Sequence, residues 1–426
     1  MTRHRPLRAA ILGVAGLVTF AACTASAPRA PSPEAEPSSA AVRATRQRVV
    51  LIGIDGFRAD YVDRPHAVNL RRLAARGVRA ERLIPAFPSK TFPNHYTIVT
   101  GLTPEHHGIV ANVMKDPALG TFRTSDTLAI WEPRWWGGEP IWVTAERQGR
   151  RAATYFWPGS EAEIGGVRPT WWQRYEHARP RAARVRQVID WLAMPADSAP
   201  ALITLYFADT DDAGHAEGPF ADTTNTAIAN ADSAVGAIMD AIDRLGLREV
   251  VNIIVVADHG MTASSGERLI LIDDYVPRAS VDVIDWTPVA SIVPADGDVE
   301  RVYRALKDKH PHLQVYRKGE VPERLHFNDH PRITPIVAIA DEGWTLTDRA
   351  SLARRGRADY DGGQHGYDPA LPSMGAVFIA AGPGIAVDRR VPGFRNVHVY
   401  PLMAHLLGLR AAPSDGALDS VRAILR

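Results

Sequence analysis

Three aspartates, three histidines and one threonine fall in five short motifs spread along 426 residues. Asp55 closes the run VVLIGID and Thr91 lies in PSKTFPNHYTIVTG. Asp211 and His215 bracket D-D-A-G-H, Asp258 and His259 adjoin in IIVVADHG, and His365 sits in GGQHGYD. Carboxylate oxygens and imidazole nitrogens in that ratio suit two divalent metals, zinc first. A threonine hydroxyl at a metal could ionise and attack phosphorus. Pro93 suits the first turn of a helix, so Thr91 is expected at or near an N-cap, where free N–H groups and the helix dipole stabilise an anion. Asn112, in HGIVANVMKD, could donate its amide N–H to a phosphoryl oxygen.

Each residue also has a plain structural reading. Asp55 before Gly56 is a common turn pair, Thr91 could be an ordinary cap, His215 a polar loop residue and Asn112 a turn asparagine. Asp209 and Asp212 rival Asp211 on composition, as His66, His106, His107 and His310 rival His365. The adjacent acid and imidazole of Asp258 and His259, at a strand end, have few structural uses.

Motifs this far apart need a sheet to gather them. VVLIGI is a continuous β-branched run, as expected of a strand buried on both faces. RAATYFW (151–157), ALITLYFAD (201–209), VVNIIVVAD (250–258) and GAVFIAAG (375–382) repeat the pattern. Between them NLRRLAARG, IWVTAERQG, VRQVIDWLAM, NTAIANADSAVGAIMDAIDRLG and NVHVYPLMAHLLGL read as helices. The alternation predicts an α/β fold, a mostly parallel central sheet with helices on both faces. Four of the five motifs follow strand-like runs, and the carboxyl ends of parallel strands are where such folds place chemistry. Residues 267–361 break the rhythm with short strand-like runs (VDVIDW, ASIVPA, LQVYR, TPIVAIAD) and one helix, VERVYRALKD. They are expected to form an inserted subdomain that covers the site or extends the sheet. The catalytic domain is placed at 48–411, with a C-terminal tail at 412–426.

The charge balance, 49 basic against 48 acidic residues, speaks against a polyanion-binding scaffold. No stable nucleic-acid or protein partner is expected. Basic residues to Arg8, an apolar run from Ala9 to Ala22 and small residues before Cys23 have the order of an export signal, too short for a comfortable span. Cys23 is the sole cysteine, so no internal disulfide can form. It follows Ala21-Ala22 as in a bacterial lipobox, although Phe20 stands where leucine is usual; the alternative is ordinary signal cleavage near Ala25 or Ala27. The expectation is a signal peptide at 1–22, a lipid anchor at Cys23 and a Pro/Ala/Ser-rich tether to residue 47, giving an exported, periplasmic, membrane-anchored protein.

The runs FPSKTFPNHYTIVTGLTPEHHGIVANVMKDP, YFWPGSEAEI, PTWWQRY, DTDDAGHAEGP, VVADHGM and NVHVYPLMAHLLGL resemble the nucleotide pyrophosphatase/phosphodiesterase family of the alkaline phosphatase superfamily. The resemblance runs in order from about Arg48 to Leu409. It implies an alkaline-phosphatase-like fold with Thr91 as nucleophile. It implies one zinc on Asp211, His215 and His365, and another on Asp55, Asp258 and His259 with Thr91 bridging toward it. Asn112 would contact the transferred phosphoryl group, and Phe92 and Tyr175 would line the nucleobase slot. Tyr175 could equally pack with Trp171 and Trp172 under a loop. One departure is Phe207-Ala208-Asp209-Thr210-Asp211 where the family often has E-E-P-D. The implied reaction cleaves nucleotide phosphodiester or pyrophosphate bonds through a phosphothreonine and releases nucleoside 5′-monophosphates. A phosphomonoesterase or a phospholipid/choline-phosphodiester hydrolase of the same superfamily is the alternative. A monoesterase needs extra positive charge at phosphate, for which Lys90, Lys115 and Arg123 are the candidates.

Overall fold

The computed structural model describes residues 47–426. The signal segment, Cys23 and the tether to residue 46 lie outside the described residues. Among the described residues no helix is long and apolar enough to cross a membrane.

In chain order the elements that build the site are β1 (Arg48–Ile54), α1 (Val68–Ala75), β2 (Val78–Ala80), α2 (Thr91–Thr100), α3 (Ile141–Arg147), β3 (Ala152–Tyr155), β4 (Trp171–Gln173), α4 (Arg181–Leu192), β5 (Leu202–Phe207), α5 (Asp209–Glu217), α6 (Asp222–Arg244) and β6 (Val251–Val256). After an insertion come β11 (Phe378–Ala381), β12 (Arg389–Val391) and α8 (Val399–Leu406). The eight-stranded sheet has the order β12-β2-β11-β6-β1-β5-β3-β4. β1 pairs in parallel with β5 and β6, placing Val50 opposite Ile203 and Ile253. β11 runs against both its neighbours, β2 and β6. Every residue of β1, β5 and β6 is buried, which is why these strands read as unbroken apolar runs rather than alternating ones. The expected α/β architecture is present, with an antiparallel strand that the runs alone did not distinguish.

Helix α6 follows from its sequence. Ile228, Val235, Ile238 and Ile242 recur at helical spacing and are buried. α2 is different: Pro93 to Thr100 are all buried, so it is held from every side, and Gly101 ends it in the left-handed conformation (φ 68°) that glycine adopts without strain.

The insertion holds β7 (Val281–Asp285), β8 (Val289–Pro294), α7 (Val299–Leu306), β9 (Leu313–Arg317) and β10 (Ile336–Ala340). Its four strands form a separate sheet in the order β7-β8-β10-β9, antiparallel throughout. Val283, Ile292, Val302, Leu306, Ile336 and Ala338 make a core of its own, so it does not extend the central sheet. It is tied to the catalytic body through Lys90–Asp285 at 2.6 Å, Arg332–Asp116 at 2.9 Å and Lys115–Asp282. Residues 412–426, expected as a tail, instead pack back onto the body. Val421 and Ile424 are buried in the main core and the Ile424 carbonyl accepts from Ala386 N–H at 2.9 Å. Leu418 and Leu425 pack beside them, partly buried.

Candidate active site

Adjacent strands β5, β1 and β6 end side by side, and each is followed within four residues by a metal-ligand candidate. Asp55 comes directly after β1, Asp211 is in the first turn of α5 after β5, and Asp258 and His259 follow β6. Asp55 (2% exposed), Asp258 and His259 (both 0%) are buried. His259 Nε2 is 2.9 Å from Asp258 Oδ2 and 3.4 Å from Asp55 Oδ1. Asp211 and His215 lie on helix α5 four residues apart and therefore on one face. Acids in a first helical turn are favoured by the dipole, which outweighs the turn-like composition of DTDDAGH. His215 Nε2 is 3.5 Å from Asp211 Oδ2, and His365 Nε2 approaches Asp211 Oδ1 to 3.6 Å. Asp211, His215 and His365 form one compact ligand group; Asp55, Asp211 and His259 form a second, contiguous one.

The three imidazoles are oriented alike. His215 Nδ1 faces the Gly363 carbonyl, His259 Nδ1 the Gly260 carbonyl and His365 Nδ1 the Ser89 carbonyl, each at 2.8 Å. A carbonyl only accepts, so each Nδ1 carries the proton and each Nε2 turns a lone pair toward the carboxylates. Backbone carbonyls are common orienting partners of metal-bound histidine. The His259 and His365 rings stack 3.5 Å apart.

Asp55 Oδ1, Asp211 Oδ1 and Asp258 Oδ2 are buried and lack hydrogen-bond donors. The 2.9 Å approach of His259 Nε2 to Asp258 Oδ2 therefore sets two lone pairs face to face, an arrangement that needs an electrophile between them. Burial, then Asp258 and Asp211, push Asp55 well above the usual carboxylate range, against a 2.5 Å hydrogen bond from Tyr206. Burial also raises Asp211, with His215 and His259 opposing. Burial works against ionising Asp258 too, but in the metal-free chain a proton held on His259, together with His95, outweighs it and holds Asp258 well below its ordinary value while His259 is raised. Burial, His259 and His215 keep His365 neutral. Divalent cations on these atoms would let the carboxylates ionise while the imidazoles stay neutral; the donor set fits them.

Thr91 is the first residue of α2, not its cap: Lys90 holds the N-cap backbone position and makes no side-chain cap bond. Thr91 is thus released from capping, and its Oγ1 lies 3.4 Å from His259 Nε2. Asn112 Oδ1 accepts from Phe92 N–H at 3.1 Å. That bond fixes the amide, leaving the Asn112 NH₂ as the group available to a ligand. Phe92 packs edge-on to Phe122 and against Trp136, with ring centres 5.9 and 6.2 Å apart. Tyr175 is 40% exposed. Its ring stands 6.1 Å from Tyr206, the partner of Asp55, and its hydroxyl bonds His177 at 2.9 Å. It is accordingly at the margin of the site rather than a core aromatic.

The rivals fall elsewhere. Asp209 pairs with Arg181 and Asp212 with His177. His66 is exposed, His106 sits on Asp415, His107 is buried against Thr97, and His310 packs on Trp344. One neighbour was not singled out from the sequence. His95 is buried (0%) and sits one turn along α2 from Thr91. Its Nδ1 lies 3.3 Å from Asp258 Oδ2 and 3.2 Å from the Thr91 carbonyl. The i,i+4 spacing from Thr91 within TFPNHY was the available signal.

A helix-start threonine facing carboxylates and neutral imidazoles, at the carboxyl edge of a parallel sheet, is the arrangement of a metal-dependent hydrolase. Comparison with known proteins narrows the class. The model of the type I phosphodiesterase / nucleotide pyrophosphatase family matches residues 49–368. Human ectonucleotide pyrophosphatase/phosphodiesterase family member 5 is 36% identical over 381 residues, covering 89% of this chain and 78% of that protein. Bis(5′-adenosyl)-triphosphatase enpp4 of Xenopus laevis is 37% identical, covering 89% and 81%. The solved structure of murine family member 5 superposes with a TM-score of 0.83 at 36% identity, over 89% of this chain and 100% of that one. The chain belongs to the nucleotide pyrophosphatase/phosphodiesterase family, within the alkaline phosphatase superfamily, and is a metal-binding hydrolase of nucleotide phosphodiester and pyrophosphate bonds.

Proposed function

We propose that Thr91 Oγ1 attacks phosphorus in line, that the substrate's ester or anhydride oxygen leaves, and that water then cleaves the phosphothreonine to release a nucleoside 5′-monophosphate. The observation that carries this reading is the Thr91 hydroxyl, free of capping and 3.4 Å from His259 Nε2. Two zinc ions, one on Asp211, His215 and His365 and one on Asp55, Asp258 and His259, would supply Lewis-acid stabilisation of the phosphoryl oxygens and lower the proton affinity of the threonine hydroxyl. The start of α2 turns its first N–H groups and positive dipole end toward the transferred group. Asn112, held by Phe92 N–H, donates its NH₂ to a phosphoryl oxygen as charge develops there. Phe92 and Tyr175 flank the base. A solved relative, an inactive threonine-to-alanine form of murine family member 5 in complex with AMP, supports both the nucleophile and the product.

A diester rather than a monoester is favoured because two of the three candidate cations are already paired. Lys90 is bound by Asp285 and Lys115 by Asp282. The test is kcat/KM of the zinc-loaded protein on thymidine 5′-p-nitrophenyl phosphate and p-nitrophenyl phosphate, with Thr91→Ala alongside. Diester preference is expected, and Thr91→Ala should lose turnover while elemental analysis finds its metal retained. Full diesterase activity in Thr91→Ala overturns the covalent route. We also propose that the chain is exported and lipid-anchored at Cys23, so that it meets nucleotides in the periplasm.

A further inference from the structure

The end of the sheet opposite the metal-ligand cluster carries a second concentration of charge. Arg48 opens β1 and Arg150 and Arg151 lead into β3, whereas Asp55 follows the far end of β1. Seven strand residues separate the two ends, about 23 Å. A cavity of about 650 Å³ there is lined by Arg48, Arg150, Arg151, Asp197, Leu247 and Val250, among others. Arg48 is only 8% exposed, Arg150 is half-buried and Arg151 stands exposed at the mouth.

Among the described residues, no carboxylate lies within ion-pair distance of any of the three guanidinium groups. Asp197 is exposed and takes Arg151 Nη1 through its backbone carbonyl, at 3.0 Å. Arg48 Nη1 reaches the Leu192 carbonyl at a long 3.4 Å. Arg150 donates to the Leu407 and Gln47 carbonyls at 3.0 and 2.6 Å. Leu192 and Leu407 stand at the carboxyl ends of α4 and α8, whose dipoles offset about half a charge each. That leaves most of three positive charges uncompensated. Burial lowers the proton affinity of Arg48 and Arg150, and the charge of Arg48 adds to the lowering at Arg150. Buried arginines are ordinarily paired, and most of the five donors on each guanidinium remain unspent here.

We propose that this cavity binds a phosphate-class anion, held by Arg48 and Arg150 in its wall and Arg151 at its mouth. Guanidinium forks match phosphate oxygens two at a time, and the cavity is large enough for a phosphate bearing an organic substituent. The anion is either a free phosphate or the headgroup of an anionic lipid. The Gln47 carbonyl, at the first described residue, accepts from Arg150. This inference does not rest on the reaction proposed for Thr91.

The experiment uses the full chain, metal-loaded, beside Arg151→Gln and Arg150→Gln. Inorganic phosphate is titrated calorimetrically at low salt, and co-sedimentation is measured with phosphatidylcholine vesicles with and without phosphatidylglycerol. The expected result is that wild type binds one phosphate more per chain than the variants, or binds it at least tenfold more tightly, with diester hydrolysis unchanged. A loss in the variants confined to free phosphate identifies the soluble anion. A loss of phosphatidylglycerol-dependent sedimentation identifies the headgroup. Equal stoichiometry, affinity and sedimentation in all three proteins overturn the site. Arg151 is exposed, so its replacement tests the idea even where Arg150→Gln fails to fold.

Discussion

Asp285→Ala tests whether the inserted subdomain holds the nucleophile in place. Asp285 Oδ2 lies 2.6 Å from Lys90 Nζ, with the two side chains 13% and 6% exposed. Without the carboxylate, the ammonium keeps one acceptor, the Trp286 carbonyl at 3.1 Å. Removing one partner of a buried pair costs about 3–5 kcal/mol, because the other charge stays desolvated. Some water reaches Asp285, so the lower end applies, about 3 kcal/mol. Asp285→Asn keeps an acceptor oxygen for the ammonium, so the bond stays charge-assisted and only the opposite charge is lost, about 1 kcal/mol. Lys90→Met in the Asp285→Ala background removes the stranded charge, so the double variant should lose less than the sum of the singles, by about 2 kcal/mol. The effect should also reach the chemistry. The Lys90 carbonyl accepts from Asn94 N at 3.1 Å and Asn94 Nδ2 at 2.9 Å, and Thr91 follows it directly. Displacing Lys90 shifts the start of α2, and a misplacement of about 1 Å can cost on the order of 10²-fold in rate. Urea unfolding followed by tryptophan fluorescence gives the stabilities, and kcat on the thymidine diester gives the chemistry. Expected are a cycle that fails to add and a kcat at least about tenfold lower at unchanged metal content. Additive stabilities with wild-type kcat would refute the reasoning.

Asn112→Ala should lower kcat by about 10²–10³-fold with little change in KM, because its NH₂ acts on charge that develops in the transition state; an equal rise in KM would argue for simple substrate binding. His107 gives the pH dependence of stability. Burial lowers it from the ordinary imidazole value to about 3; its Nδ1 accepts from Ile109 N–H and its Nε2 donates to Thr97 Oγ1. Below pH 6.5 the unfolded chain takes up a proton that the fold refuses, so this contribution is full at neutral pH and fades as pH falls. From pH 7 to pH 5 the loss is about 2 kcal/mol, read by urea unfolding at the two values; an imidazolium NMR signal from His107 in the folded protein at pH 5 would contradict it. Cys23→Ser should abolish incorporation of labelled palmitate in a bacterial host, and equal labelling of both forms would remove the anchor proposal.

Strand identity was plain where burial is two-sided. VVLIGI, LITLYF and VNIIVV carry no polar interruption but Thr204 and Asn252, both buried; Asn252 is hydrogen-bonded to Gln47 and the Arg48 carbonyl. The insertion was legible because its runs are short and change period. Direction was not: the apolar FIAA of β11 looks like any parallel strand, and only its pairing with β6 reverses it. The packing of 412–426 escaped notice because its apolar residues, Leu418, Val421, Ile424 and Leu425, are few and follow the Pro- and Ser-containing APSDG. At the site, the candidate ligands could be picked out by type, but separating them from their rivals depends on what occupies each neighbour. Asp209 and Asp212 turn to Arg181 and His177, while Asp211 faces His215 and His365, a fact of three dimensions. His215, which could have been a polar loop residue, stands on a helix because the first-turn acids of DTDDAGH suit the dipole. His95 was hidden by the residues around it, since a histidine inside a buried helix reads as core.

The carbonyls facing His215, His259 and His365 bear on how this centre tolerates evolutionary drift. They belong to Gly363, Gly260 and Ser89, and main-chain oxygen survives any replacement of the residue that carries it. A site whose imidazoles leaned on carboxylates could be silenced by one codon change at each partner. Here the vulnerability is moved from chemistry to volume. A methyl at Gly260 would lie 2.0 Å from the Ser373 carbonyl, and one at Gly363 would lie 2.3 Å from that of Gly214. Selection at these two places therefore acts on the absence of a side chain, while Ser89 is held by its own, fully buried with its hydroxyl donating to the Tyr367 carbonyl at 2.8 Å.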